Sequence, residues 1–174
     1  LKFIRQKNYR KIREIGRGGL GKAILLRDEE IGKDFVCKKY LPISGINPNE
    51  YFKNFVHEIK LMFDASHNNI IRIYNYYLYP EYTTGYIIME YIEGNIISDY
   101  LAKNTENINN IFEQVINSFQ YLENRKIIHR DIRDTNIMVT DDGTVKVIDF
   151  GFGKKIEYEV DKYKSISLNW WCDT

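Results

Sequence analysis

Six polar or charged residues crowd one short stretch of the chain. Ile127-Ile128 leads into His129, Arg130, Asp131, Arg133, Asp134 and Asn136, and Ile137-Met138-Val139 follows. Charge set between two strand-like runs is costly to bury unless it is paired, so packing alone does not account for it. Asp131 and Asn136 lie five residues apart, and Asp149-Phe150-Gly151 begins thirteen residues after Asn136. A carboxylate can accept a proton, and carboxylate or amide oxygens suit a hard cation. The stretch reads as a catalytic loop followed by a metal-binding aspartate.

A second group of residues could serve phosphate chemistry. Gly16-Arg17-Gly18-Gly19-Leu20-Gly21 fits three phosphate-binding readings in part, and a glycine-rich turn without a ligand as a fourth. A dinucleotide fingerprint needs a helix after the last glycine, but the residues after Gly21 are β-prone. A Walker A loop needs a hydroxyl after the lysine, and Ala23 follows Lys22. A hairpin folded over phosphates needs only glycines that let the backbone approach closely. Lys38 lies among apolar residues of a predicted strand, and Glu58 interrupts the apolar stripe of a predicted helix. The two are candidates for one another. Read alone, they fit better a glutamate on the helix's solvated flank and a lysine extending its amine to water.

The elements that must position these groups follow from periodicity. Strands are predicted at 9–15, 22–27 and 35–40, with Glu30–Asp34 as the turn between the last two. The helix at 48–65 carries the stripe Phe52, Phe55, Val56, Ile59, Met62 and Phe63. Strands are predicted again at 70–79 and 86–92, and the β pattern ends at Glu93-Gly94-Asn95. Ser98 is the expected cap of a short helix through Lys103. A longer helix runs from about 106 to 124 with Ile108, Ile111, Phe112, Val115, Phe119 and Leu122 on one face. A hairpin, 136–140 and 145–149, turns at Asp141-Asp142-Gly143-Thr144.

The 174 residues make one domain or two small lobes. A net charge of +1 gives no ground for a nucleic-acid or membrane-surface partner. No apolar run approaches the roughly 18–20 residues that span a bilayer. Cys37 and Cys172 match no metal spacing, so a reduced, cytoplasmic chain is expected. The start, Leu1-Lys2-Phe3-Ile4-Arg5, has no signal-peptide layout. Oligomeric state has no signature here.

Together these residues resemble a eukaryotic-type protein kinase, from about Tyr9 to the end. Gly16, Gly18 and Gly21 match G-x-G-x-x-G, and Phe35-Val36-Cys37-Lys38 takes the place of V-A-I-K. Glu58 stands where the helix glutamate belongs. His129-Arg130-Asp131 with Asn136 matches H-R-D-x-x-x-x-N, and Asp149-Phe150-Gly151 matches D-F-G. The resemblance implies an α+β, kinase-like bilobal fold. Its N-lobe, 1–92, would hold a five-stranded antiparallel sheet with one helix, and 93–174 would form a partial helical C-lobe.

The resemblance also implies ATP and Mg²⁺, with Mn²⁺ as an alternative, and a protein substrate. Lys38 would hold the α- and β-phosphates and Glu58 would hold Lys38. Asn136 and Asp149 would ligate the metal, and Asp131 would accept the substrate hydroxyl's proton. Arg133 replaces the lysine common in Ser/Thr kinases and would still reach the γ-phosphate, with a forked geometry. Some tyrosine kinases carry arginine there, and Ser/Thr specificity is the expectation on frequency. Ala23, standing where valine is usual, would sandwich the adenine with Val36 and Met138. Backbone groups of Glu90 and Ile92 would bond its edge, and Met89 would limit the back pocket. Met62, Ile73, His129 and Phe150 match a stacked apolar spine, which makes His129 structural. Asn68-Asn69 replaces a common His-Pro pair with no assigned chemistry, and Asp134 and Thr135 carry no role.

After Gly151 nothing matches A-P-E, so the expectation is a chain cut short of the family's remaining helices. Without them the long helix should expose apolar surface. Tyr158, Tyr163, Ser165 and Ser167 fall in the activation segment, and Arg130 is a candidate receiver of a phosphate there. Two other classes stay in view. A kinase-like module that binds nucleotide without turnover is weighed against by the presence of Lys38, Glu58, Asp131, Asn136 and Asp149. A small-molecule phosphotransferase typically carries H-G-D, and Arg130 departs from that.

Overall fold

A computed structural model describes residues 8–18, 21–41 and 47–156. The first half is an antiparallel sheet built in hairpins. β1 (Arg10–Gly18) and β2 (Gly21–Asp28) pair with Gly18 opposite Gly21, and the turn Glu29–Gly32 leads to β3 (Lys33–Tyr40). The second turn starts one residue and ends two residues earlier than expected, with Gly32 at φ 62°. After α1 (Pro48–Asp64) the chain forms β4 (Ile73–Tyr79) and β5 (Thr84–Glu90), giving the order β1-β2-β3-β5-β4.

Helix α1 starts where Asn47 accepts a hydrogen bond from the Asn49 N–H at 3.1 Å, relieving one open donor of the first turn. Phe55, Ile59 and Met62 bury one face against the sheet, and the Phe55 ring stacks on Tyr40 with centroids 5.1 Å apart. Each such side chain contributes about 1.5–3 kcal/mol relative to exposure. The expected stripe overreaches by one residue. Phe63 is exposed and meets the Tyr76 ring edge-on, because the helix ends at Asp64 over the sheet's open edge.

The second half contains β6 (Gly94–Ile96), α2 (Ile97–Leu101), α3 (Ile108–Asn124), β7 (Ile127–Ile128), β8 (Ile137–Thr140), β9 (Val145–Val147) and β10 (Lys154–Lys155). The β pattern therefore does not stop at Glu93-Gly94-Asn95. β6 pairs with β8, where a Cβ on Gly94 would lie only 2.2 Å from the Val139 carbonyl oxygen. Nor does Ser98 cap α2. The helix begins at Ile97, with Ile96 as the extended residue before it, and the Ser98 hydroxyl donates to Asp134 Oδ2 at 3.1 Å. On α3, Ile111, Ser118 and Leu122 are buried, while Ile108 and Phe112, expected on the same apolar face, lie exposed with Ile116 along its flank.

The two halves share one core. Val36, Met62, Ile73 and Met89 from the first join Leu122, Ile127 and Phe150 from the second in a single buried cluster. Residues 70–72, expected to open β4, instead dock on β9: Ile71 N–H donates to Val147 O at 2.9 Å, and Val147 N–H donates to Asn69 O at 2.8 Å. The loop before β4 thus becomes part of the lower hairpin's edge, satisfying backbone groups that would otherwise be buried unpaired. Among the described residues no helix is long and apolar enough to cross a membrane.

Candidate active site

Strand register sets the upper wall of the site. Lys38 pairs with Ala23 on one side and Ile87 on the other, and Val36 pairs with Met89. Directly opposed residues share a face, and so do residues two apart, so Ala23, Val36, Lys38, Ile87 and Met89 all face one way. From that face Lys38 Nζ reaches Glu58 Oε1 of α1 at 2.5 Å and Asp149 Oδ1 at 3.1 Å. Glu58 is 2% exposed, so its charge depends on this partner.

Burial pulls the Lys38 ammonium's pKa down, but the Glu58 and Asp149 carboxylates outweigh it and hold the group above the ordinary lysine value. Burial pushes the Glu58 carboxyl up, with Lys38 offsetting part of the rise. For Asp149 burial also acts upward, but Lys38 and the Gly151 N–H win and keep it below the usual carboxylate range. The Gly151 N–H donates to Asp149 Oδ1 at 3.1 Å, and Asp149 itself adopts a left-handed backbone, φ 62°. That conformation is uncommon outside glycine and is held here by two bonds to one carboxylate oxygen, Oδ1, from Lys38 and from the Gly151 N–H.

The lower wall is the loop between β7 and β8. Asn136 is buried at the end of the 3₁₀ turn Asp134–Asn136, and its Nδ2 donates to Asp131 Oδ2 at 2.7 Å and to the Asp131 carbonyl at 2.9 Å. Arg133 Nη2 lies 3.3 Å from Asp131 Oδ2. The Ile148 N–H donates to the Asn136 carbonyl at 2.9 Å, fixing the loop beside the residue that precedes Asp149. His129 is 3% exposed, its Nε2 lies 3.0 Å from Ile148 O, and its ring meets Phe150 with centroids 4.9 Å apart. Burial lowers its pKa, which keeps the imidazole neutral and suits a packed role. Asp134, without a role in the sequence reading, accepts from Ser98 and from the Thr135 N–H at 2.7 Å and so pins the turn that carries Asn136.

The donor chemistry fits a nucleotide with a hard cation. Asn136 commits its amide nitrogen to Asp131, which leaves Oδ1 as its oxygen for a cation, and Asp149 is kept ionised. Among the described residues no three His, Cys, Asp or Glu side chains gather as a metal cage. Two protein oxygens are what Mg²⁺ needs when phosphate supplies others. Gly16, Gly18 and Gly21 sit in the β1–β2 hairpin, and Gly21 has no room for a side chain: a Cβ there would lie 2.1 Å from Lys39 O. Met89 in β5 and Ile92 just after that strand are buried, and Ala23 and Met138 pack against the shared core. The Glu90 N–H is taken by Arg72 O at 2.9 Å and so is not open to a ligand edge.

Comparison with known proteins bears on this arrangement. The family model for the protein kinase domain matches residues 9–172. The chain belongs to that family. The kinase domain is 31% identical over 156 residues to serine/threonine-protein kinase PAK 5 of Rattus norvegicus, covering 88% of this chain and 21% of that protein. It is 33% identical over 147 residues to serine/threonine-protein kinase PrkC of Bacillus subtilis, covering 82% and 22%. It is 33% identical over 158 residues to mitogen-activated protein kinase kinase kinase A of Dictyostelium discoideum, covering 87% and 17%. The chain spans about a fifth of the length of these curated relatives.

Three contacts of the kinase domain had no counterpart in the sequence reading. Asn69 Nδ2 donates to Gln114 Oε1 at 2.8 Å and to Val145 O at 3.0 Å, and Gln114 Oε1 accepts the Val145 N–H at 3.0 Å. This network ties α3, the loop before β4 and β9 together, and a glutamine on a helix flank gives no signal of it. Arg130, with φ 62°, donates from Nε to Phe152 O at 2.6 Å and, at 3.5 Å, from Nη2 to Gly153 O. It holds the backbone that follows Asp149. Lys155 Nζ binds Asp64 Oδ2 at 2.6 Å, joining the same segment to the end of α1. The expected modification sites Tyr158, Tyr163, Ser165 and Ser167 lie outside the described residues, as do Gly19 and Leu20.

Proposed function

We propose that this kinase domain transfers the γ-phosphoryl group of Mg·ATP to a protein hydroxyl, serine or threonine before tyrosine, in the cytoplasm. The observation that carries the reading is Lys38 held between Glu58 at 2.5 Å and Asp149 at 3.1 Å. A strand cation, a helix carboxylate and a loop carboxylate converge there, and structural economy alone does not call for three charges in one place. Two of the relatives are named serine/threonine-protein kinases, which supports the hydroxyl class.

In this reading ATP supplies the phosphoryl group, and Mg²⁺ neutralises the charge that its transfer develops. The chain positions and proton-balances. Lys38, kept protonated by its two partners, binds the α- and β-phosphates, and Glu58 fixes the direction of its side chain. Asp149, kept ionised, and Asn136 would hold the metal. Asp131 aligns the substrate hydroxyl and takes its proton on the carboxylate, whose own position Asn136 and Arg133 set. Arg133 adds a cation for the γ-phosphate. The glycines of the β1–β2 hairpin cover the phosphates. Ala23, Val36 and Met138 enclose the base, with the Glu90 carbonyl and Ile92 backbone at its edge and Met89 at its back. The lobe division lies between Ile92 and Glu93.

Thermal unfolding with and without Mg·ATP, beside transfer of labelled phosphate to a generic protein substrate, tests the proposal. An upward shift in Tm together with labelled serine or threonine is expected. A shift without transfer would support a binding module, and no shift at all would overturn the nucleotide reading.

A further inference from the structure

Glu90 ends β5 at the link between the two halves, and its carboxylate is engaged away from the Lys38 cluster. Lys146 Nζ of β9 reaches both carboxylate oxygens at 3.0 Å, and the Arg72 N–H donates to Oε1 at 2.7 Å. The Glu90 N–H returns a bond to Arg72 O at 2.9 Å. One residue therefore ties the loop before β4, the hinge and the lower hairpin to each other. The side chains of Lys146 and Glu90 are only 17% and 18% exposed, so solvent and salt screen the pair less than a surface contact.

The base of this connection is itself fixed. Val147, next to Lys146, exchanges backbone bonds with Asn69 and Ile71, and Val145 is held by Gln114. The hinge is thus fastened to a rigid hairpin by charge and to the upper half by backbone. The same structure has the Lys38–Glu58–Asp149 cluster assembled. We propose that the Glu90–Lys146 pair is a positioning strut that holds the hinge backbone in register for nucleotide, an inference that rests on the functional proposal and deepens it. Lys146 touches no reacting group. It acts through Glu90, lowering the ordering that nucleotide binding would otherwise require.

Lys146 borders an open cavity of about 520 Å³ together with Glu90, Arg72, His67 and Tyr74, so an apolar side chain fits without overpacking. The test compares the wild type, Lys146→Met and Lys146→Arg in the full-length protein that carries this domain. Lys146→Met should raise the Kd for Mg·ATP, and its KM, roughly three- to tenfold, the order expected for one partly buried ion pair. The kcat at saturating ATP should stay unchanged. Lys146→Arg, which can still bond both oxygens, should restore wild-type affinity. Hydrogen exchange at the amides of residues 90–92, measured without nucleotide, should be faster in Lys146→Met and normal in Lys146→Arg. Should Lys146→Met not fold, Lys146→Gln carries the same expectations. Equal affinity and equal hinge exchange in the wild type and Lys146→Met overturn the strut, as does tighter binding in Lys146→Met. A wild type that takes no nucleotide overturns the functional reading instead, and the hinge exchange then decides the strut alone.

Discussion

Replacing Glu58 by glutamine keeps the side chain's size and removes the charge that Lys38 leans on. Losing one partner of a buried ion pair costs about 3–5 kcal/mol when the other charge is left uncompensated. Lys38, however, keeps Asp149 at 3.1 Å and is itself 19% exposed. Part of the penalty is therefore relieved, and the expected loss for Glu58→Gln is roughly 1–3 kcal/mol. Urea unfolding reads this as a lower midpoint at unchanged slope. The effect on phosphoryl transfer should be larger in proportion. With α1 no longer holding it, the ammonium shifts toward Asp149, and a displacement of about 1 Å at a positioned group can cost roughly a hundredfold in rate. The double variant Lys38→Met/Glu58→Leu removes the most buried pair together and leaves the 40% exposed Asp149 side chain to water, so its stability should return to within about 1 kcal/mol of the wild type. Transfer in that variant should stay lost. If Glu58→Gln unfolds at the wild-type midpoint and transfers phosphate at the wild-type rate, the reasoning is refuted. A double variant destabilised by the full sum of its single changes would refute the coupling.

Three other outcomes follow from the same contacts. The unfolded chain protonates His129 near its ordinary pKa of about 6.5 while burial keeps the folded imidazole neutral, so stability should fall as pH drops below that value and rise with pH across the window. His129→Phe should flatten that part of the profile, and an unchanged profile would contradict the account. Cys37 is buried and its thiol is pushed up to about 11, so iodoacetamide at pH of about 8 should leave it unmodified in the native protein, as peptide mass spectrometry would read. Rapid labelling there would show that β3 is not packed as described. Gly94→Ala places a Cβ 2.2 Å from Val139 O and should cost roughly 1–3 kcal/mol by prying β6 from β8, with a wild-type urea midpoint as the contrary result.

The reading of the chain from its residues was strongest where period and chemistry coincide. Alternation placed the strands that carry Lys38 and Met89, and the stripe of Phe55, Ile59 and Met62 placed Glu58 on α1. What it missed is held by contacts distant in sequence. β6 has three residues, one of them glycine, too few to show alternation, and it exists because β8 offers a partner. Residues 70–72 look like strand because Ile70 and Ile71 are apolar, yet their burial comes from docking on β9. Ser98 had the chemistry of a cap, but Asp134, thirty-six residues away, takes its hydroxyl. The strut at Glu90 and the network at Gln114 were invisible for the same reason. Each is a polar residue on an exposed-looking flank whose partner comes from another element.

In the proposed mechanism Asp131 takes the substrate proton while Lys38, Asn136 and Asp149 bind the nucleotide and its metal. Asp131→Asn tests it most directly, since asparagine can still meet Asn136 and Arg133 but cannot serve as the base. The Kd for Mg·ATP should stay within about twofold of the wild type and the transfer rate should fall by roughly a hundredfold or more. Transfer at the wild-type rate, with nucleotide still bound, would contradict it.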